Sequence, residues 1–331
     1  MKTTTPTVIL VLAFTWCLLA VGAASAQPPS QPAKEITLDL DGNASLKLAL
    51  IPAGKFLMGS PEGEDVRRKD EAQHEVTISK PFYMGVHLVT VSQFAVFVKD
   101  SGYKTDAEKA GWSWSIELRD GRLLTGKGKN AGLAPRKVEG ASWRDPGFDQ
   151  KGDHPVVQVS WNDAKAFCEW LSKKSGKTVA LPTEAQWEYA CRAGTKTAWL
   201  WGDNPDDGKG WANCSDQSLK RRLPDSGAGV KCFNWDDGFV FTSPAGSFKA
   251  NAWGLFDMIG NAAHWCQDRY GDYEKGAVTD PTGSDAGMNR VVRGGSWNNF
   301  DPKNCRSAAR YRFVPDHRNE RYGFRIVINL K

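Results

Sequence analysis

Between Gly194 and Lys331 no apolar run is longer than four residues. Gly, Asn, Asp and Trp dominate that stretch instead. It cannot supply the long amphipathic helices or regular alternating strands from which layered domains are usually assembled. The sequence predicts few regular elements there, with strands at Arg290–Arg293 and Phe324–Asn329. Loops this long inside a domain are functional or pinned. Disulfides, bound calcium and buried Trp are the available pins, and the 331 residues carry 14 Trp and 33 Gly.

The residues before Gly194 follow a different grammar. Glu35–Ile51 alternates apolar and polar positions around an Asp41-Gly42 turn, which predicts two short strands. Another short strand lies in Pro52–Gly59. Three helices are announced by caps: Thr90 with Gln93, Ser160, and Thr183 with Gln186, the last stopping at Gly194. The middle helix presents Trp161, Ala164, Phe167, Cys168 and Leu171 as its apolar face. No Pro/Ser-rich linker and no repeat divides the chain after residue 35. The fold class expected is α+β, one irregular domain with low secondary-structure content.

Lys2, the apolar run Val8–Val21 and the small residues Ala24-Ser25-Ala26 read as a cleavable leader. The organisation expected is a signal peptide at 1–26, a Pro-rich linker at 27–34 and one domain at 35–331. This implies export to the periplasm or the cell exterior, with no transmembrane span after cleavage. A net charge of +5 is mild. No basic stripe with interleaved aromatics is present, so nucleic acid is not an expected partner. Six cysteines follow the leader, enough for 15 complete pairings. The absence of CxxC argues against a zinc ribbon or thioredoxin-like motif.

Four constellations could carry chemistry. Asn213 with Asp236-Asp237-Gly238-Phe239 offers amide, carboxylate and carbonyl oxygens of the kind calcium uses. Gly260-Asn261 reads as a tight turn, with His264 beside it. Arg293-Gly294-Gly295-Ser296-Trp297 allows close backbone approach, and Ser296 lacks the GxSxG context of a hydrolase nucleophile. Arg306, Arg310, Arg312 and Arg318 could grip an anion or form ion pairs.

Together these segments resemble the formylglycine-generating enzymes, or sulfatase-modifying factors. The resemblance runs through IPAGKFLMGS (51–60), GASWRDP (140–146), HPVVQVSWNDAKAFCEWL (154–171) and LPTEAQWEYACRAG (181–194). It continues in GLFDMIGNAAHW (254–265), RVVRGGSW (290–297), CRSAAR (305–310) and YGFRIV (322–327). It implies an irregular domain related to C-type lectins, with bound calcium. The first calcium site carries over onto Asn213, Cys214, Asp237 and Phe239. The second maps onto Asp257, Gly260, Ala262 and His264, with His264 where the family has a Glu. A family disulfide maps onto Cys191 and Cys305. Cys168 matches one end of another whose partner position is Ile326, so that bridge is absent and Cys168 is left free or to pair with Cys266. Apart from the resemblance, the short step from Cys214 to Cys232 would allow those two to pair.

The family enzymes bind copper(I) through two cysteines just after the Gly-Gly-Ser turn. Here Asn299 takes the first position, and Phe300–Asn304 contains no Cys. An amide cannot replace a thiolate for a soft ion, so copper is not expected and calcium is. The resemblance implies a persisting groove of Ser296, Trp297, Asn299 and Arg310, with His264 and His317 as the remaining polar actors. It would hold an exported peptide, protein or glycan. Two alternatives stay open: oxidative tailoring of an exported peptide or siderophore, and formylglycine generation by a route that does not use the missing cysteines.

Overall fold

A computed structural model describes residues 1, 34–41, 44–116, 118, 119, 122, 123, 136–223 and 231–330. The expected leader, apart from Met1, and positions 27–33 of the linker lie outside them. Among the described residues no helix is long and apolar enough to cross a membrane.

The three capped helices form where the local chemistry predicts. They are Val91–Ser101, Trp161–Ser175 and Glu184–Arg192. The Thr90 hydroxyl accepts from the Gln93 N–H at 3.3 Å while Gln93 Oε1 accepts from the Thr90 N–H at 2.9 Å. Two orphan donors are thereby satisfied at once. The third helix leaves through Ala193 at φ 44°, one residue before the expected Gly194. A fourth helix, Asp106–Ala110, carries the same Thr105/Glu108 box. Sequence reading passed over it because it is barely more than one turn.

A five-stranded sheet runs in the order Glu35–Asp41, Ala44–Ile51, Phe82–Gly85, Val327–Asn329, Val179–Ala180. A four-stranded sheet runs Arg310–Phe313, Arg290–Arg293, Ala263–Arg269, Tyr322–Phe324. The strand expected over Phe324–Asn329 is therefore two strands in two sheets, and the chain changes sheets at Arg325-Ile326. Arg325 is fully buried there. It donates to the carbonyls of Gly85 at 2.5 Å, Val86 at 2.8 Å and Phe256 at 2.5 Å, satisfying oxygens that the crossing would otherwise strand.

One core joins the helices to both sheets through Phe94, Phe97, Phe167, Trp265 and Phe324. A second, around Trp187, Cys191, Phe233 and Trp235, lies under the loops after Gly194. Fully buried Trp pins those loops by both ends of the indole. The Trp265 N–H donates to the Val159 carbonyl at 3.1 Å and the Trp297 N–H to the Glu320 carbonyl at 3.1 Å. The apolar body contributes burial and the N–H ties a distant backbone.

Candidate functional site

The site is built where the two glycine turns meet. The Gly260 N–H donates to the Gly294 carbonyl at 3.0 Å, Asn261 N–H to Asn213 carbonyl at 2.7 Å, and Trp297 N–H to Asn261 carbonyl at 3.1 Å. Gly260 sits at φ 80°, and a Cβ there would lie 2.2 Å from the Asn213 carbonyl oxygen. Only glycine permits this approach.

Around this junction buried oxygens are left without partners. Asn213 is fully buried and its Oδ1 makes no hydrogen bond, while its Nδ2 donates to the Phe241 carbonyl at 2.8 Å. Asp237 accepts one backbone N–H on each oxygen, from Cys214 at 3.1 Å and Phe239 at 2.7 Å. Its pKa is pushed up to about 8, first by burial and then by the neighbouring Asp216. An orphaned amide oxygen beside two crowded carboxylates is a donor set that fits a hard cation. The Phe239 carbonyl already accepts the Ser218 hydroxyl at 2.6 Å. Among the described residues no group of three or more His, Cys, Asp or Glu side chains could hold a metal. Any cation here would therefore depend on amide and backbone oxygens.

The second predicted cation position differs. Asp257 Oδ2 accepts from the Gly246 N–H at 2.8 Å, and Oδ1 makes no hydrogen bond. His264 is fully buried and its Nδ1 accepts the Trp187 indole N–H at 2.5 Å. Indole nitrogen only donates, so the Nδ1 lone pair is taken and the neutral ring carries its proton on Nε2. Neither nitrogen is free to ligate. Burial, then the Arg325 guanidinium, holds the imidazole well below its usual range. Arg325 also acts electrostatically on Asp257. With one carboxylate, a nearby guanidinium and no ligating nitrogen, the set Asp257, Gly260, Ala262 and His264 does not fit calcium.

The predicted groove is not one open surface. Ser296 is fully buried, and its hydroxyl is shared by Asn299 Oδ1 at 2.6 Å and Asn298 Oδ1 at 3.1 Å. Asn299 Nδ2 reaches the Tyr311 hydroxyl at 3.5 Å. Arg68 donates to Asn304 Oδ1 at 2.5 Å, to Tyr311 at 3.3 Å and to the Arg310 carbonyl at 2.9 Å. Asn299 thus belongs to an amide and phenol network. Arg310 points elsewhere: it grips Glu184 at 2.6 and 2.8 Å and donates to the carbonyls of Asp70 at 2.9 Å and Gly271 at 3.1 Å. Four of its five N–H groups are committed, so it is a structural cation. His317 stacks on Phe313 at 4.6 Å, and His264 is sealed under Trp187, so neither joins Ser296.

Sequence reading missed the partners of these arginines. Arg293 donates to Glu184 at 2.8 Å and to Glu188 at 2.5 Å, all three buried. Arg192 adds a bond to Glu188 at 2.9 Å, and Arg306 grips Glu71 at 2.8 Å. Glu184 and Glu188 lie four apart on the face that also carries Cys191. Acids on an apolar helical face were the signal available.

The predicted disulfides are also revised. Among the described residues all six cysteines are thiols. Cys191 Sγ faces Ser307 Oγ at 3.9 Å, so the position opposite Cys191 is Ser307, two residues beyond Cys305. Cys232 lies 3.2 Å from Ser215 Oγ, and Cys214 turns to Cys305 instead.

Among the concavities of the described residues, two carry buried polar or aromatic groups of interest. One, about 450 Å³, is lined by Glu184, Asp268, Tyr273 and Arg310. Asp268 is pushed up to about 8 by burial and then by Glu184. The other, about 590 Å³, is lined by Trp143, Arg144, Phe148, Gln150 and Phe241. Phe148 and Phe241 stack at 4.6 Å and meet Trp297 edge-on at 5.6 and 5.4 Å. Trp143 Nε1 and Gln150 Oε1 are buried without partners.

Fold and site define a loop-built α+β domain organised around two abutting glycine turns. The chain belongs to the sulfatase-modifying factor family: the sulfatase-modifying factor enzyme 1-like domain matches residues 42–330. It is 36% identical to the formylglycine-generating enzyme of Streptomyces coelicolor over 291 residues, 83% of this chain and 87% of that protein. It is 32% identical over 310 residues to the Bos taurus protein named inactive C-alpha-formylglycine-generating enzyme 2, covering 87% and 90%. The structure of PvdO from Pseudomonas aeruginosa superposes with a TM-score of 0.67 at 27% identity, covering 91% of this chain and all of that one.

Proposed function

We propose that this chain is an exported, calcium-braced member of the family that binds a peptide or glycan and does not oxidise sulfatase cysteines. The observation that carries the reading is Asn299. It stands where the family's first copper thiolate would be, and its amide is engaged by Ser296 and Tyr311. A soft ion finds no ligand in that network. The relative named inactive supports a non-catalytic branch.

The binding surface is the cleft behind Trp297. The faces of Phe148 and Phe241 suit an apolar ligand face, and the unpaired Trp143 N–H and Gln150 carbonyl suit a hydroxyl or amide edge. A pyranose ring and a peptide segment share that chemistry, and glycan and peptide arrays separate them. Calcium acts at Asn213 and Asp237, holding the loop whose Phe241 carbonyl takes the Asn213 amide. Binding weakened at least tenfold by Phe241→Ala, with the fold retained, is the expected result. A folded protein with no ligand on either array contradicts the reading.

Catalysis is the second reading, favoured by Asp268. A carboxyl that holds its proton near neutrality beside a cavity could transfer that proton. Copper or iron bound one per chain after purification would favour it over binding.

A further inference from the structure

The abutting glycine turns leave a gap, and two sulfur atoms fill it. A Cβ at Gly260 would lie 2.9 Å from Cys214 Sγ, and one at Gly295 would lie 2.6 Å from Cys305 Sγ. The turns are themselves joined by the 3.0 Å bond from the Gly260 N–H to the Gly294 carbonyl. Both cysteines are fully buried, and each thiol is within hydrogen-bonding reach of the other. The remaining cysteines are placed differently. Cys191 faces Ser307 and Cys232 faces Ser215. Cys266 lies against the His264 carbonyl at 3.9 Å, and Cys168 is packed in the aromatic core.

We propose that Cys214 and Cys305 are a cross-linking pair, oxidised to one cystine that ties the Asn213–Asp237 loop to the turn following Gly-Gly-Ser-Trp. Each end of the link has structural leverage. The Cys214 N–H donates to Asp237, so the bond fixes the carboxylate of the cation site. Cys305 closes the short turn Pro302–Cys305, whose Asn304 holds Arg68 and Tyr311 and through them Asn299. One covalent bond would therefore set the geometry of both the oxygen site and the Asn299 network.

The chemistry is thiol–disulfide exchange with a small or protein disulfide as oxidant. One cysteine thiolate attacks the oxidant disulfide, forming a mixed disulfide and releasing one thiol. The second thiolate displaces the other half of the oxidant. Two protein thiols and one oxidant disulfide become one cystine and two released thiols. Full burial keeps the native pair from the oxidant, so the link forms while the chain folds.

The test is to refold the full chain from denaturant in a reduced and oxidised glutathione mixture, alkylate the remaining thiols, and map unreduced peptides by mass spectrometry. The expected result is a peptide containing Cys214 joined to one containing Cys305, two hydrogens lighter than the sum, with the other cysteines alkylated. The oxidised chain should melt about 5 °C or more above the reduced chain, because the bond closes a long loop. Cys214→Ser should leave Cys305 alkylated and abolish the difference. Alkylation of every thiol in the refolded protein would overturn the proposal. So would Cys305 joined to Cys191 or to Cys232.

Discussion

Around Arg293 the buried carboxylates Glu184 and Glu188 face arginines, whereas around Asn213 and Asp257 buried oxygens face nothing. The first region is a closed lattice of Arg192, Arg293 and Arg310 with Glu184 and Glu188. The second is a junction of glycine turns with Asn213 Oδ1 and Asp257 Oδ1 unpaired. Both sit beside the same glycine turns, yet they use polarity differently. In the lattice every Glu184 and Glu188 oxygen is held by an arginine without any ligand, and the Arg293 Nε is its one unpaired atom. The junction is incomplete by itself, and an unpaired buried oxygen carries a desolvation cost that a cation can offset.

The largest effect comes from opening the lattice. Arg293→Ala leaves Glu184 and Glu188 buried with one cation fewer, and removing one partner of a buried pair costs about 3–5 kcal/mol. Urea unfolding should register that loss. A change below about 1 kcal/mol, the range of an exposed pair, would mean that the lattice is solvated.

A smaller effect separates the two regions by pH. Asp237 and Asp268 are both pushed up to about 8 in the folded chain. The folded state then keeps protons that the unfolded chain releases above its ordinary carboxylate range. Their contribution is present at low pH and is lost as pH rises from about 4 toward 8. On the proposed function calcium would take the proton's place at Asp237 but not at Asp268. The melting temperature with calcium minus that with chelator should therefore grow between pH 5 and pH 8. Asp237→Asn should flatten that difference, and a pH-independent difference would locate the cation elsewhere.

The smallest effect concerns the second position. His264→Glu replaces a ring that cannot ligate with a carboxylate beside Asp257. It should raise the calcium bound at saturation from one per chain to two, read by metal analysis after gel filtration. Two calcium ions in the unsubstituted chain would break the tautomer argument.

What was legible in the sequence was local. Thr90–Gln93 and Thr183–Gln186 act across three residues, so their chemistry appears in the text of the chain. Arg325 was illegible as a sheet-crossing residue, because its acceptors come from Gly85, Val86 and Phe256, far away in sequence. Glu184 and Glu188 received no reading as ion-pair partners, since Arg293 and Arg310 arrive from strands more than a hundred residues later. The resemblance pointed to Asn213 and Asp237, and the structure leaves the Asn213 Oδ1 unpaired. The resemblance set Cys305 opposite Cys191, where the structure has Ser307. It also treated Ser296 and Arg310 as one surface, when packing turns one inward and the other onto Glu184.

The most direct test is to incubate the purified chain with copper(I) and a sulfatase-type peptide of the pattern Cys-x-Pro-x-Arg, then look for an aldehyde by mass spectrometry. With Asn299 at the thiolate position, the peptide thiol should remain unchanged, as it does without protein. Catalytic conversion of that thiol to formylglycine would contradict the account.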